Sequence, residues 1–132
     1  MSDAMIGAKI EKAWGTEKVL VNGPNYCGKR LVVKPRYRTS MHRHRVKHET
    51  FIVESGWGWI FLGDEPMELE PGTIVEIPPG EWHCVWNVSG AVSLTILEIS
   101  THHSDDDVDR HSASGPLVKP LRVPKDFVEI IP

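Results

Sequence analysis

The stretch HRHRVKHETFIVESG, residues 42–56, places His42, His44, His48 and Glu49 close together and then runs into regularly alternating apolar positions. Side chains alternate faces along a strand, so His42 and His44 point one way while Arg43 and Arg45 point the other. From Glu49 onward Phe51 and Val53 share the face of the carboxylate, and Thr50 and Ile52 face away. A carboxylate heading an apolar inward row is costly to bury without a partner. The pattern predicts strands whose inner edge gathers two imidazoles and a carboxylate around one point. His48 falls on the opposite face from Glu49 and is expected to be exposed.

A matching stretch lies downstream in GTIVEIPPGEWHCVWN, residues 72–87, where His83 follows a Pro-Pro-Gly turn on a separate strand. Three neutral imidazoles and one carboxylate can hold a divalent ion and leave coordination positions open to water or substrate. His42, His44, Glu49 and His83 are therefore the candidate ligands of one divalent metal ion, drawn from Mn, Fe, Ni, Zn or Co. His102, His103 and His111 fall in a polar segment and read as solvated residues.

Around these two stretches the chain offers short runs rich in β-branched and aromatic residues, separated by turn signals: KVLV before NGPN, KRLVVK before PRYR, WIFL before GDEP, and finally AVSLTILEIS. Strands at this spacing imply an all-β sandwich or barrel, and 11 glycines with 10 prolines suit a turn-dense fold with little helix. The expectation is a single domain over residues 1–132, with a barrel core at about 14–100. After Ser100 a polar loop leads into a proline-rich arm at about 101–132, with apolar pegs at Leu117, Leu121, Val123, Phe127 and Ile130.

At 132 residues and 40% hydrophobic content the chain can build one core. A formal charge of -3, with basic residues scattered, gives no electrostatic footprint for nucleic acid. No window approaches 18 uninterrupted apolar residues and no signal-peptide pattern opens the chain, so no membrane partner is expected and a cytoplasmic location is. Cys27 and Cys84 are far apart and read as free thiols in a reducing compartment.

The run His42, x, His44, four residues, Glu49, six residues, Gly56 resembles the first cupin motif. Gly72, five residues, Pro78, x, Gly80, two residues, His83, three residues, Asn87 resembles the second. The resemblance implies a double-stranded β-helix, the jelly-roll cupin barrel. One position departs from the pattern: the glycine expected six residues before His42 is Arg36, which bears on the turn there and not on the ligands. Over about residues 12–110 the chain is also similar to the cupin domain of type II mannose-6-phosphate isomerases. Ala13-Trp14-Gly15 stands for that family's Pro-Trp-Gly opening, Lys29-Arg30-Leu31 for its Lys-Arg-Leu strand, and Asp106, Asp107 and Arg110 for its closing acidic segment. Beyond Arg110 the chain departs, reading HSASGP where the family continues into a Tyr-Gly-Arg segment.

The resemblance implies a metal-dependent aldose-ketose isomerase of a small sugar or sugar phosphate. Such a reaction needs an electrophile for the substrate oxygens and a base for the proton, and the candidate base is Glu98 near the end of a strand or a metal-bound hydroxide. Lys29, Arg30 and Arg110 are candidates for binding an anionic sugar substituent. The same ligand set also suits a cupin dioxygenase or decarboxylase of a small organic acid, or a metal- or sugar-binding cupin without turnover. Trp82, Cys84 and Trp86 fall on the face of their strand away from the metal. With the proline-rich arm, that apolar row points to a homodimer, the alternative being that the arm of the same chain covers it.

Overall fold

A computed structural model describes residues 6–117, and the strands follow the alternation of the sequence. Among the described residues thirteen strands appear in chain order: β1 Lys9–Lys12, β2 Gly15–Asn22, β3 Cys27–Val33, β4 Tyr37–Arg38, β5 His42–Arg43, β6 Glu49–Ser55, β7 Gly58–Leu62, β8 Glu65–Leu69, β9 Ile74–Ile77, β10 His83–Asn87, β11 Leu94–Ser100, β12 Asp109–Arg110 and β13 Gly115–Pro116. No helix occurs among the described residues, and none is long and apolar enough to cross a membrane.

All pairings are antiparallel. One sheet runs β1-β2-β3-β11-β6-β9, and the other runs β12-β5-β10-β4-β13, with β7 on β10 and β8 on β7. The inward residues of β6 (Glu49, Phe51, Val53), β11 (Leu94, Ile96, Glu98, Ser100) and β3 (Cys27, Lys29, Leu31, Val33) are buried. Leu31, Val33, Phe51, Val53, Val75, Ile77, Leu94 and Ile96 of the first sheet pack against Ile60, Leu69 and Val85 of the second, forming one apolar core. Burial of apolar surface of this kind is the main favourable term in holding two sheets together.

Two expectations are revised, and the departure at Arg36 is resolved. The segment after Ser100 is no simple loop: Asp109 and Arg110 pair with Arg43 and His42, and Gly115 and Pro116 pair with Arg38 and Tyr37, so the second sheet is finished by residues far from it in sequence. The row Trp82, Cys84, Trp86 is not an open surface. Cys84 and Trp86 are buried in a second cluster with Met41, Phe61 and Leu117, and Trp82 is partly buried against it. Leu117 belongs to the same chain, so covering in cis accounts for the row without a partner. The remaining pegs, Leu121, Val123, Phe127 and Ile130, lie outside the described residues. Finally, Arg36 keeps the glycine-like backbone of the motif position, with φ 66, and is the non-glycine residue of positive φ among those described. The turn on which that departure bears thus persists, at a steric cost to an L-residue.

Candidate metal centre

His42 and His83 face each other in register across β5 and β10. His44 follows β5 at the start of a tight turn, and Glu49 opens β6. Two features hold that turn. The backbone N–H of Gly80, in the left-handed region at φ 85 that the Pro-Pro-Gly turn requires, donates to the His44 carbonyl at 2.7 Å. The Asp107 carboxylate accepts from the backbone N–H groups of Arg45 at 2.7 Å and Lys47 at 2.9 Å.

The ligand-capable nitrogens of His42, His44 and His83 lie within 4.8 Å of one another. Each ring is fixed through Nδ1, which donates to a main-chain carbonyl: His42 to Ser40 at 2.8 Å, His44 to Asp107 at 2.6 Å and His83 to Glu81 at 2.9 Å. A carbonyl can only accept, so the proton of each neutral ring sits on Nδ1 and the lone pair on Nε2. Burial pushes His42 well below the ordinary imidazole range, helped by its neighbour His83 and opposed by the Ser40 carbonyl. Burial, with the Lys47 ammonium, brings His44 down to about 4 against the pull of the Asp107 carbonyl. Both rings are thus neutral near pH 7, the state that ligates metal.

Whether the residues fit a cation is decided by two atoms. Glu49 Oε1 and His83 Nε2 are both buried without a hydrogen-bond partner among the described residues, and they stand 3.3 Å apart. His44 Nε2 is 3.7 Å from the same oxygen. Lone pairs aimed at one another in a dry site repel unless a positive charge sits among them. With three imidazoles converging, a divalent ion fits that requirement.

Glu49 Oε2 turns the other way, 3.5 Å from the buried Lys47 ammonium, which also donates to Glu98 Oε2 at 3.0 Å. Burial alone would lower Lys47, but the Glu98 and Glu49 carboxylates outweigh it and raise it, so the amine stays protonated. Burial raises Glu49, as does neighbouring Glu98, against the opposing pull of His83 and Lys47. For Glu98 burial is outweighed by the Lys47 and Lys29 ammoniums, which hold it at about 2.

The cluster opens onto a cavity of about 290 Å³ between the sheets. Of the other residues singled out in the sequence, Glu98 and Lys29 line its wall and Arg110 its mouth. Lys29 is tied to Glu17 at 3.1 Å, and Arg110 donates to Ser40 Oγ at 2.8 Å. Arg30 is not brought to the cavity. It alternates with inward Lys29 and Leu31, so it faces out, where it pairs with Glu54 at 2.8 Å. His48 also faces outward, with Nε2 2.8 Å from a Glu76 carboxylate oxygen. Two cavity residues escaped the sequence reading. Lys47, two positions before Glu49, is not among the candidate residues of the sequence, and His103 is expected from the sequence to be solvated. His103 accepts from Lys47 at Nδ1 (3.1 Å) and donates from Nε2 to Asp105 at 2.8 Å.

Comparison with known proteins shows the family and the fold. The family described as Mannose-6-phosphate isomerase C-terminal matches residues 2–113. A mannose-1-phosphate guanylyltransferase of Salmonella muenchen is 32% identical over 106 residues, 77% of this chain and 22% of the relative. The xanthan biosynthesis protein XanB of Xanthomonas campestris pv. campestris is 32% identical over 113 residues, 83% of this chain and 24% of the relative. The chain therefore spans about a fifth to a quarter of the length of these relatives. Among solved structures, the capsular polysaccharide assembling protein CapF of Staphylococcus aureus aligns with TM-score 0.68 at 22% identity, over 77% of this chain and 33% of that one. A double-stranded β-helix protein of Klebsiella pneumoniae aligns with TM-score 0.63 at 18% identity, over 82% and 88%.

Proposed function

The chain belongs to the mannose-6-phosphate isomerase C-terminal family, with a cupin barrel, and from that premise we propose that it is a divalent-metal-dependent isomerase interconverting an aldose and a ketose, as free sugar or sugar phosphate. The observation that carries the reading is the pair of buried, facing lone pairs on Glu49 Oε1 and His83 Nε2, closed in by His42 and His44. When bound there, a divalent ion would act as a Lewis acid on substrate oxygens.

The chain's own residues support the rest. Lys12, Lys29, Lys47 and Arg110 are matched in the cavity lining by Glu17, Glu49, Glu98 and Asp105, so the protein groups alone are charge-balanced. Loading a divalent ion leaves the cavity positive, which suits an oxygen-rich or anionic ligand. Arg110 at the mouth is the proposed contact for an anionic substituent, with Lys29 deeper in the wall. Glu98 is the proposed base. As an ionised carboxylate it can take a proton from one substrate carbon and return it to the next, while Lys47 faces the negative charge developing on the oxygens. Drawing Lys47 toward the substrate weakens its hold on Glu98 and so raises the carboxylate's basicity.

One observation favours a second reading, a sugar-binding cupin without turnover: a carboxylate held at about 2 by a buried ammonium is a poor base at neutral pH. The experiment that separates the two is incubation of metal-loaded protein with aldoses and aldose phosphates in D2O. Isomerised product with deuterium at the carbon that exchanged supports the isomerase. Saturable binding of the same sugars without product or exchange supports the binding module, and oxygen uptake with neither would move the protein to oxidative chemistry.

We also propose that the chain pairs as a homodimer through the outer face of the first sheet. Ile74 and Ile99 stand exposed there near half-buried Ile52 and Leu97. A monomer mass by light scattering at micromolar concentration would remove that assembly.

A further inference from the structure

The Lys47 ammonium has three protons and, among the described residues, three acceptors around it: Glu98 Oε2 at 3.0 Å, His103 Nδ1 at 3.1 Å and Glu49 Oε2 at 3.5 Å. His103 comes from the segment after β11, far from the metal cluster in sequence, and its placement is specific. Its backbone N–H donates to Asn22 Oδ1 at 3.0 Å, and its carbonyl accepts from Asn22 Nδ2 at 3.2 Å. Its ring is oriented by Asp105, which accepts from Nε2 at 2.8 Å and so leaves the Nδ1 lone pair for Lys47. Burial, with Lys47 and Lys29 beside it, lowers His103 and keeps the ring a neutral acceptor.

We infer that His103 and Asp105 are positioning residues for the metal centre, acting through Lys47 on the rotation of the Glu49 carboxylate. Accepting one Lys47 proton turns the ammonium so that another meets Glu49 Oε2. That contact fixes the carboxylate with Oε1 toward His83 and His44 as the single oxygen offered to the ion. Without His103 the ammonium is free to swing fully onto Glu98, and Glu49 loses the contact that sets which oxygen it presents. The physical logic is that of groups one bond removed from a ligand, which fix its orientation and basicity and whose loss typically costs 10–100-fold in metal affinity.

This inference rests on the reading that His42, His44, Glu49 and His83 hold a divalent ion, so the test reads the ion directly and not turnover. Metal-free protein is titrated with Co2+, following the visible absorption band, for the unaltered chain, His103→Ala, His103→Gln and Asp105→Ala. The inference expects His103→Ala to weaken Co2+ binding about 10-fold and to change the intensity of the band, since the band reports coordination geometry. His103→Gln, whose amide oxygen can accept from Lys47, is expected to recover most of the affinity and the original band. Asp105→Ala is expected to show a smaller loss in the same direction. Its side chain is 63% exposed, so this variant carries the test alone if His103→Ala does not fold. Affinity and spectrum unchanged in His103→Ala or, failing that, in Asp105→Ala would overturn the inference while leaving the metal site standing. A loss equally large in His103→Gln would also overturn it, because a packing defect and not the lone pair would then be responsible. An unaltered chain that binds no Co2+ removes the metal site itself, and this inference with it.

Discussion

The main-chain carbonyl of Asp107 accepts the Nδ1 proton of His44 at 2.6 Å, while the Asp107 carboxylate gathers the backbone N–H groups of the turn that follows His44. One residue thus sets the tautomer of a candidate ligand and the path of the chain from that ligand to Glu49. Replacing Asp107 by Ala leaves the carbonyl in place but frees the turn. Metal affinity should fall by about 10-fold or more, and stability by about 1–3 kcal/mol from the unpaired N–H groups. Asp107→Asn, retaining one acceptor oxygen, should fall between. Isothermal titration with a divalent ion and urea unfolding of the metal-free protein check the two parts, and a tight-binding Asp107→Ala would detach the turn from the site.

Arg36 sits in the left-handed region at φ 66, where an L-residue is strained. Arg36→Gly should raise stability by up to about 1 kcal/mol, the relief of strain being partly offset by the greater freedom of glycine in the unfolded chain. The contrasting change is Gly56→Ala. A Cβ there would lie 2.3 Å from the Ser93 carbonyl oxygen on a backbone at φ 88, so it should destabilise strongly. Midpoints of urea unfolding for the two variants should move in opposite directions.

Asn87 is fully buried, and its side chain donates to the Val33 carbonyl at 3.0 Å and the Val92 carbonyl at 2.9 Å while accepting from the Ser89 N–H at 3.0 Å. The asparagine of the second motif therefore ties the two sheets together. Asn87→Ala removes one buried and two part-buried hydrogen bonds and should cost about 1–3 kcal/mol. In whatever fraction folds, the metal stoichiometry should be unchanged.

The Glu98 carboxyl is held at about 2 in the fold against an ordinary value of 4.5. A depressed carboxyl binds fewer protons folded than unfolded between those two values. Its stabilisation is therefore complete above about pH 4.5 and is lost as pH falls toward 2, amounting to about 3 kcal/mol. Glu49 is shifted the opposite way and offsets part of this. Acid unfolding of the metal-free protein followed over pH 5 to 2 should be steep in the unaltered chain and flatter in Glu98→Gln, which has no such proton to gain.

What was legible in the sequence follows from what alternation and spacing encode. Strand alternation put Phe51 and Val53 on the inner face with Glu49, and motif spacing picked out His42, His44 and His83, which the fold brings together across β5 and β10. The same alternation, applied to β3, sends Arg30 outward once Lys29 and Leu31 point in, a consequence the sequence reading overlooked. Lys47 and His103 were not legible because neither lies on a regular strand. Lys47 is held by Asp107, sixty residues on, through its backbone N–H, and His103 is tied at the cavity by Asn22. The apolar row Cys84 and Trp86 read as a surface because Met41, Phe61 and Leu117, which cover it, come from three separate segments.

His42, His44, Glu49 and His83 are proposed to form one site for one divalent ion, completed only when β10 closes against β5. The most direct test is elemental analysis of protein purified without added metal or chelator, comparing the unaltered chain with His83→Ala and His44→Ala. The account predicts about one equivalent of a divalent ion in the unaltered chain and, in both variants alike, a fall to roughly a tenth or less. Full occupancy retained in His83→Ala would contradict it.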